Sequence, residues 1–289
     1  DVFVSHSWSP PENWRIVMGD EVQYADVKST TLAIMAKDVA LMGMENLHEW
    51  GQVTFWVDKA CIPQDDMNLK ESCIALIEKF IRRAERVCVL FTWSYLERLW
   101  CVFEWACVLT DKEPNQVWLM NEMFVTEQSF PLYLECIRYF SLKRTKCFVE
   151  SDRQILTAKI DECYTSHQDF EHLVRATAIA LMARSMAYRA GRSRRLRERF
   201  FEPWPALAEE LGFDELAVAL RSCKSQEWRA AAVVAAPSAS APLPTLLGRQ
   251  SRLLSVKAGA YHDHINAWFD ESVTPVLLRM RKDFVKAPR

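Results

Sequence analysis

The chain alternates between short apolar runs and longer amphipathic stretches. Runs rich in Val, Ile and aromatic residues are typical of buried strands, whereas apolar positions three or four residues apart predict helices. Five runs predict strands: "VFV" at 2–4, "VTFWVD" at 53–58, "RVCVLFT" at 86–92, "QVWLM" at 116–120 and "KCFVE" at 146–150. Helical patterns lie between them, at 21–50, 70–86, 95–110 and 129–140.

This alternation predicts an α/β domain over residues 1–150. Strands that alternate with helices form parallel sheets with right-handed crossovers, and strands that are apolar throughout are covered on both faces. The chain after residue 150 predicts helices instead. We expect a helical extension at 151–229, a low-complexity Ala/Pro/Ser linker at 230–250 and a C-terminal helical segment at 251–289.

Polar and aromatic residues follow the predicted ends of three strands. They are Ser5–His6–Ser7–Trp8, Asp58–Lys59 and Thr92–Trp93–Ser94. Ligands of open parallel sheets collect at the carboxyl ends of the strands. Glu104 lies about two turns into the helix after the third of these ends. We therefore expect the three segments and Glu104 to line one cleft.

Glu104 is chemically unusual because of its neighbours. It belongs to "RLWCVFEWACV" at 98–108, which otherwise predicts a buried helix. Burial of an unpaired carboxylate costs several kcal/mol or raises its pKa. Glu104 therefore either has a structural partner, such as Lys59, Arg98 or the loop at 5–8, or is retained for chemistry.

Composition disfavours several classes of function. The 289 residues have a net charge of −2, so no nucleic-acid binding is expected, although the first 150 residues are net acidic and the remainder net basic. The sequence contains neither GxGxxG nor GxxxxGK[ST], which disfavours a Rossmann dehydrogenase or a P-loop NTPase. His262 and His264 do not share a helix face, so no metal site is predicted.

Cysteine usage and hydropathy bear on localisation. Nine cysteines without a CxxC pair indicate reduced thiols in a cytoplasmic protein. No apolar run reaches the ~18 residues of a membrane-spanning helix, so no transmembrane segment is predicted. The chain begins inside a strand-like stretch without Met, and we expect it to be a piece of a longer protein.

Three segments, in order, resemble the Toll/interleukin-1 receptor (TIR) domain family. They are "DVFVSHSW", "FWVDKACIPQ" and "VLFTWSYLERLWCVFEW", and the third contains the W-C-x-x-E pattern of that family at 100–104. The resemblance covers roughly residues 1–150 and implies a flavodoxin-like sheet of five parallel strands. Two features depart from the family: Ile62-Pro63-Gln64 lacks the usual glycine, and 48 residues separate the first two predicted strands.

The resemblance implies one of two functions. Many TIR domains cleave NAD at the nicotinamide–ribose bond, and the Glu of the pattern, here Glu104, is then catalytic. The chain would be an NAD+ nucleosidase, a hydrolase in signalling or defence, with NAD as substrate and no cofactor. Other TIR domains are signalling scaffolds that act by homotypic self-association. A nucleoside 2-deoxyribosyltransferase-like enzyme is a third interpretation, because that family also uses a Glu on a flavodoxin-like sheet.

Cleavage of NAD suits a single carboxylate. Nicotinamide leaves a cationic pyridinium as a neutral base, so no general acid is needed, and one carboxylate beside the ribose stabilises an oxocarbenium-like transition state. Tryptophans could provide aromatic faces for nicotinamide or adenine. The predicted substrate-binding residues are Ser5, His6, Ser7, Trp8, Asp58, Trp93 and Trp100.

Structural roles compete with binding roles at several of these positions. Asp58 is interpreted more readily as an acceptor that orients its loop than as an acid catalyst. His6 either contacts a phosphate or ribose or caps a helix. Trp100 is interpreted first as core packing next to Glu104, which is compatible with a binding role.

Overall fold

The computed structural model describes residues 2–43, 53–63, 65–190, 193–223 and 259–286. Four strands form one parallel sheet in the order β2-β1-β3-β4. Their bounds are β1 (Val2–His6), β2 (Phe55–Val57), β3 (Arg86–Leu90) and β4 (Val117–Leu119). Helices flank the sheet and form the C-terminal part of the chain, so the predicted α/β architecture with a mainly helical extension is confirmed.

Eight helices lie between the strands or directly after them in the described chain. They are α1 (Trp14–Met18), α2 (Tyr24–Gly43), α3 (Asp58–Cys61), α4 (Met67–Ala75), α5 (Ile77–Arg83), α6 (Leu99–Asp111), α7 (Phe130–Arg138) and α8 (Glu150–Cys163). The pattern at 70–86 predicts one helix, but α4 and α5 are separated at Leu76, whose backbone ψ of 3° leaves the helical range.

The prediction of a fifth strand at 146–150 is wrong. Lys146 forms only an isolated parallel bridge with Arg98, and its carbonyl accepts a hydrogen bond from the Leu99 amide at 3.0 Å. That carbonyl satisfies one of the amides that the first turn of α6 leaves unpaired. The Phe148 side chain is fully exposed, so the apolar run has no core to face. Helix α8 then begins at Glu150, an acidic residue suited to a helix N-terminus.

Strand β1 lies in the middle of the sheet and pairs with two strands. Its register places Val2 opposite Phe55 of β2 and opposite Arg86 of β3. The chain leaves β1 towards β2 on one side and continues to β3 on the other. The carboxyl ends of β1 and β3 therefore form the switch point of the sheet, where the strand order reverses.

Aromatic side chains fill the core between the sheet and its helices. Trp105 of α6 packs against Phe91 with ring centroids 5.6 Å apart, and the Tyr133 hydroxyl donates to the Phe91 carbonyl at 2.8 Å. All three are fully or almost fully buried. This packing fixes α6 and α7 against the loop that follows β3.

The chain divides into two compact units. The first comprises Asp1–Leu181 with Leu277–Arg289, and the second comprises Met182–Val276. The helices that complete them in the described chain are α9 (His167–Ala190), α10 (Arg194–Phe200), α11 (Pro203–Glu210), α12 (Asp214–Arg221), α13 (Gly259–Trp268) and α14 (Thr274–Phe284), with a π-helical turn at Phe269–Val273. The predicted linker at 230–250 lies outside the described residues.

The stretch at 184–199, in the second unit, is rich in arginine, and not all of these side chains face solvent. The Arg184 guanidinium is buried, 4.5 Å from the centroid of the Phe269 ring. Trp268 donates from its indole nitrogen to the Ala219 carbonyl at 3.3 Å. The cation–π contact therefore joins α9 to the π-helical turn, and the indole hydrogen bond joins α13 to α12.

Candidate functional site

Glu104 lies on α6, which places its side chain next to the carboxyl edge of the sheet. The helix is apolar on nearly every side, and ten of its thirteen residues are buried. Glu104 is one of the ten, with only 6% of its surface exposed. Its side chain contacts the end of β1 instead of a cation: in the described part of the chain it forms no ion pair with Lys59 or Arg98. The alternative of a Lys or Arg partner is therefore not the arrangement found.

A chain of hydroxyl groups leads to Glu104. The Ser5 hydroxyl donates a hydrogen bond to Oε2 of Glu104 and also contacts the Tyr95 hydroxyl. The Tyr95 hydroxyl lies 3.2 Å from the Cys101 carbonyl. With Glu104 ionised, Ser5 donates to the carboxylate. With Glu104 protonated, the carboxyl group can donate to Ser5, the Ser5 hydroxyl to Tyr95, and the Tyr95 hydroxyl to the Cys101 carbonyl.

Burial raises the pKa of Glu104 to about 8, and the nearby charge of Asp58 also raises it. The hydrogen bond from Ser5 acts in the opposite direction and lowers it. Desolvation dominates because an ionised carboxylate surrounded by apolar side chains loses its hydration. Glu104 is therefore predominantly protonated at neutral pH in the unliganded protein.

Asp58 is the second carboxyl group of the site, and its pKa lies below its ordinary value. It accepts hydrogen bonds from the Trp8 indole and, at 2.7 Å, from the Lys59 amide. Oδ1 of Asp58 also lies 3.2 Å from Nε2 of His6. Burial alone would raise the pKa of Asp58, but the contacts from His6, Trp8 and the Lys59 amide together lower it. Asp58 is therefore ionised where Glu104 is protonated.

His6 connects Asp58 to a lysine of α2. Its Nδ1 lies 2.9 Å from the Lys28 ammonium, which also donates to the Ser7 carbonyl at 3.1 Å. Nδ1 also lies 3.0 Å from the Ser7 carbonyl, and Nε2, on the other side of the ring, faces Asp58. The order Lys28, His6, Asp58, Trp8 is thus a continuous polar network across the ends of β1 and β2.

Six of the eight predicted site residues converge, and two do not join them. Ser5 and Glu104 meet directly, and His6, Ser7, Trp8 and Asp58 form the adjoining network. Trp93 turns the other way, with its indole donating to Asn13 at 2.8 Å and its ring stacked on Trp14 at 5.8 Å. Trp100 donates to Asp152 at 3.2 Å instead of facing the Glu104 network.

A groove of about 530 Å³ opens at the same switch point. Its lining comes from Glu12 and Asn13 in the loop after β1, from Trp93 and Ser94 in the loop after β3, and from α7 and the residues after it as far as Lys146. The volume is typical of small-molecule sites. Glu104 does not line this groove, so the buried carboxyl group and the open groove are neighbouring but distinct features.

Sequence reasoning did not find Tyr95, Lys28 or Tyr24. Tyr95 follows the predicted end of β3 closely, so the carboxyl-edge rule could have included it. Lys28 and Tyr24 lie on α2, and the Tyr24 hydroxyl donates to the Ser7 carbonyl at 3.0 Å. Their role depends on how α2 packs beside β1, which no local pattern indicates.

Comparisons with known proteins give one match. Residues 2–104 match the family model described as heterokaryon incompatibility protein (HET). The matched region is about a third of the chain and contains Ser5, Asp58 and Glu104. No curated protein and no solved structure matches the chain.

The resemblance to the TIR family is therefore wrong. The HET match covers the three segments on which that resemblance rested, apart from Asp1 and Trp105 at their outer ends. Short motifs at the carboxyl edge of a parallel sheet were insufficient to distinguish the two families, because both a polar β1 end and a buried Glu after β3 suit this architecture. The glycine-free loop, the long β1–β2 connection and the missing fifth strand agree with the correction.

Neither a metal cluster nor a spanning helix is found in the described chain. No group of three or more His, Cys, Asp or Glu side chains is placed there to hold a metal ion. Among the helices of the described ranges, none has both the length and the apolar character needed to cross a bilayer.

Proposed function

We propose that this chain hydrolyses the nicotinamide–ribose bond of NAD, with Glu104 as the catalytic carboxylate. The observation that carries the proposal is the buried Glu104 carboxyl group, hydrogen-bonded to Ser5 at the switch point and close to no compensating cation among the described residues. A buried carboxyl group without a cation is suited to a cationic ligand, and the nicotinamide ring of NAD is cationic.

The positive charge of the ligand would change the protonation state of Glu104. A positive charge next to Glu104 favours the ionised form, so NAD binding would release a proton from Glu104. In the reaction the C1′–N bond breaks and its electron pair neutralises the nicotinamide ring. The ionised Glu104 stabilises the positive charge that develops on the ribose, and low dielectric strengthens this effect. Water then adds to C1′ and a proton is lost to solvent, giving ADP-ribose.

Asp58 supports the site as a positioning residue in this proposal. Both of its carboxylate oxygens are already engaged, by the Trp8 indole on one and by the Lys59 amide and His6 on the other. It therefore orients the ends of β1 and β2 relative to each other. Its negative charge also keeps Glu104 protonated until a cation arrives.

Access to Glu104 requires a movement of the loop after β1. Glu104 is almost completely covered, whereas Trp8 in that loop is 50% exposed. The loop is held by the hydrogen bond from Trp8 to Asp58. We propose that this bond breaks in an opening step that gives the ligand access to Ser5 and Glu104.

The experiment is to incubate the purified chain with NAD and to measure nicotinamide by chromatography. Glu104→Gln should abolish release, because Gln fills the same volume but cannot ionise. Glu162→Gln, which changes an exposed glutamate of α8, is the matched control. Circular dichroism must show that both variants are folded. Full turnover by Glu104→Gln would remove the assignment, and a folded wild type without turnover would favour a binding role.

A second candidate substrate is a nucleoside with a neutral base. A neutral base leaves as an anion unless it is protonated, and Glu104 is protonated at neutral pH, as a general acid must be. The pH dependence separates the two candidates. NAD cleavage should rise up to about pH 8 as Glu104 ionises and level above it, whereas nucleoside cleavage should decrease above pH 8.

The name of the matching family adds a biological context. Residues 2–104 are similar to a family described as heterokaryon incompatibility protein. We propose on that basis that the reaction serves heterokaryon incompatibility. Loss of the incompatibility response in cells carrying Glu104→Gln, with unchanged protein abundance, is the expected result.

A further inference from the structure

Two lysines border the Glu104 network, and neither has a carboxylate partner in the described chain. Lys28 donates to His6 Nδ1 at 2.9 Å and to the Ser7 carbonyl at 3.1 Å, both of which are uncharged acceptors. The Lys59 ammonium lies 5.6 Å from the centroid of the Trp8 ring. Each therefore retains capacity to donate hydrogen bonds to an added anion.

The single carboxylate between them is already engaged. Asp58 receives hydrogen bonds from the Trp8 indole and the Lys59 amide, and it lies next to His6. Burial lowers the pKa of Lys28 most, and the charge of Asp58 acts against this effect and raises it. The charge of Lys59 lowers the pKa of Lys28 by a smaller amount, so the two ammonium groups repel each other. With Glu104 protonated at neutral pH, two positive charges oppose one negative charge.

We infer that Lys28 and Lys59 form a phosphate-binding subsite that holds the phosphates of a nucleotide bound with its glycosidic bond at Glu104. The inference rests on the proposed function, because it assigns glycosidic bond and phosphates to one ligand. A phosphate between the lysines would neutralise the excess positive charge and accept their free N–H groups. The Trp8 ring is half-exposed beside Lys59 and offers a face to the ribose or base.

The order of residues along β1 fits this ligand. Ser5 contacts Glu104, His6 contacts Lys28, and Trp8 contacts Asp58 and the Lys59 side chain. Three residues of extended chain, from Ser5 to Trp8, span at most about 10 Å. That distance is comparable to one nucleotide. Successive side chains of a strand leave opposite faces of the sheet, so Ser5 and His6 meet Glu104 and Lys28 from opposite faces, and a nucleotide that contacts both would cross the carboxyl edge.

The test is a binding titration with ADP and with adenosine, which differ only in the phosphates. We expect wild type to bind ADP at least about tenfold more tightly than adenosine, because charged hydrogen bonds are made only by ADP. Lys59→Met should weaken ADP binding several-fold and leave adenosine binding unchanged. Lys28→Met should act in the same way. Lys79→Met, at an exposed lysine of α5, is the control and should change neither affinity.

Several results would overturn the inference. Equal affinity for ADP and adenosine would do so, as would no binding of either. The inference would also be overturned if Lys59→Met and Lys28→Met bound ADP as tightly as the Lys79→Met control. Lys59 is exposed, so its variant tests the subsite even if Lys28→Met does not fold.

The titration also separates this inference from the proposed function. A wild type that cleaves NAD but binds ADP independently of both lysines would overturn the subsite alone. A wild type that binds ADP through the lysines but releases no nicotinamide would overturn NAD hydrolysis alone.

Discussion

Asp58 and Glu104 are two carboxyl groups at the same edge of the sheet whose pKa values are displaced in opposite directions. The nearby His6 ring and the hydrogen bonds from Trp8 and the Lys59 amide keep Asp58 ionised, whereas burial keeps Glu104 protonated up to a pH of about 8. The ionised Asp58 contributes to the protonation of Glu104 by its charge. Paired groups held in different protonation states are typical of catalytic sites.

The pH dependence of NAD cleavage should report the ionisation of Glu104. We expect kcat/KM to rise about tenfold per pH unit below pH 8 and to level above it, because only the carboxylate is active. The midpoint of kcat should lie at a lower pH, because the bound pyridinium favours ionised Glu104. Steady-state nicotinamide release from pH 5.5 to 9.5 measures both. A kcat/KM that falls through pH 8 would contradict the role of carboxylate.

Ser5→Ala should move this midpoint to higher pH. The hydrogen bond from Ser5 lowers the pKa of Glu104, so its loss leaves burial and Asp58 to raise it further. Activity at pH 7 should fall, and activity at high pH should recover in part. Ser7→Ala is the matched control, because the Ser7 hydroxyl donates to the Ser9 carbonyl and not to Glu104. An identical midpoint in Ser5→Ala and Ser7→Ala would count against the Ser5–Glu104 coupling.

Asp58→Asn should move the midpoint to lower pH. The negative charge of Asp58 raises the pKa of Glu104, and asparagine removes the charge while retaining one oxygen acceptor. Opposite shifts from Ser5→Ala and Asp58→Asn would distinguish electrostatic coupling from a general loss of structure. Shifts of the same sign in both variants would refute this account.

Glu104→Gln should change how stability depends on pH. In the folded protein the pKa of Glu104 is about 8, above its ordinary value of 4.5. Between these two pH values the folded protein therefore binds more protons than the unfolded protein does. The stabilising effect of this bound proton is complete below pH 4.5 and is lost as pH rises through 8. Wild type should therefore lose stability relative to Glu104→Gln across that window, by several kcal/mol. Urea unfolding at pH 5, 6.5 and 8 tests this, with Glu162→Gln expected to parallel wild type.

Tyr164→Phe should destabilise the first unit modestly. The buried Tyr164 hydroxyl donates to the Ala106 carbonyl at 2.7 Å and joins α6 to the residue that follows α8. Loss of such a hydrogen bond costs about 1 kcal/mol. Thermal melting should show a decrease of a few degrees. Tyr139→Phe, at an exposed tyrosine, should melt like wild type, and equal melting of the two variants would show that the buried bond contributes nothing.

Prediction from sequence succeeded where burial is continuous along the chain. Val2, Phe3 and Val4 are apolar because β1 is covered on both faces, and the polar residues that follow mark the carboxyl edge. The same reasoning located Asp58 and Glu104 together. It did not depend on which family the segments resembled, because it used only the burial pattern and the positions of the strand ends.

Prediction failed where a tertiary contact decides the outcome. "KCFVE" has the composition of a strand, but strand formation also needs a neighbour with free hydrogen-bonding groups. Lys146 is instead paired with the start of α6, and Phe148 points to solvent. Trp100 and Glu104 are four residues apart on one helix, yet Trp100 bonds to Asp152 and Glu104 to Ser5. The spacing in the sequence predicts that the two residues share a helix, but it does not predict which groups they contact.

The central position of β1 has a consequence for synthesis on the ribosome. Both strands that pair with β1 follow it in the chain, and the last residue of β3 is Leu90. At the usual rates of translation β1 therefore waits on the order of ten seconds before both partners have been made. During that interval its apolar residues and backbone groups are unpaired, a state that favours aggregation and chaperone binding. The proposed catalytic site, which needs Glu104 as well, forms later still.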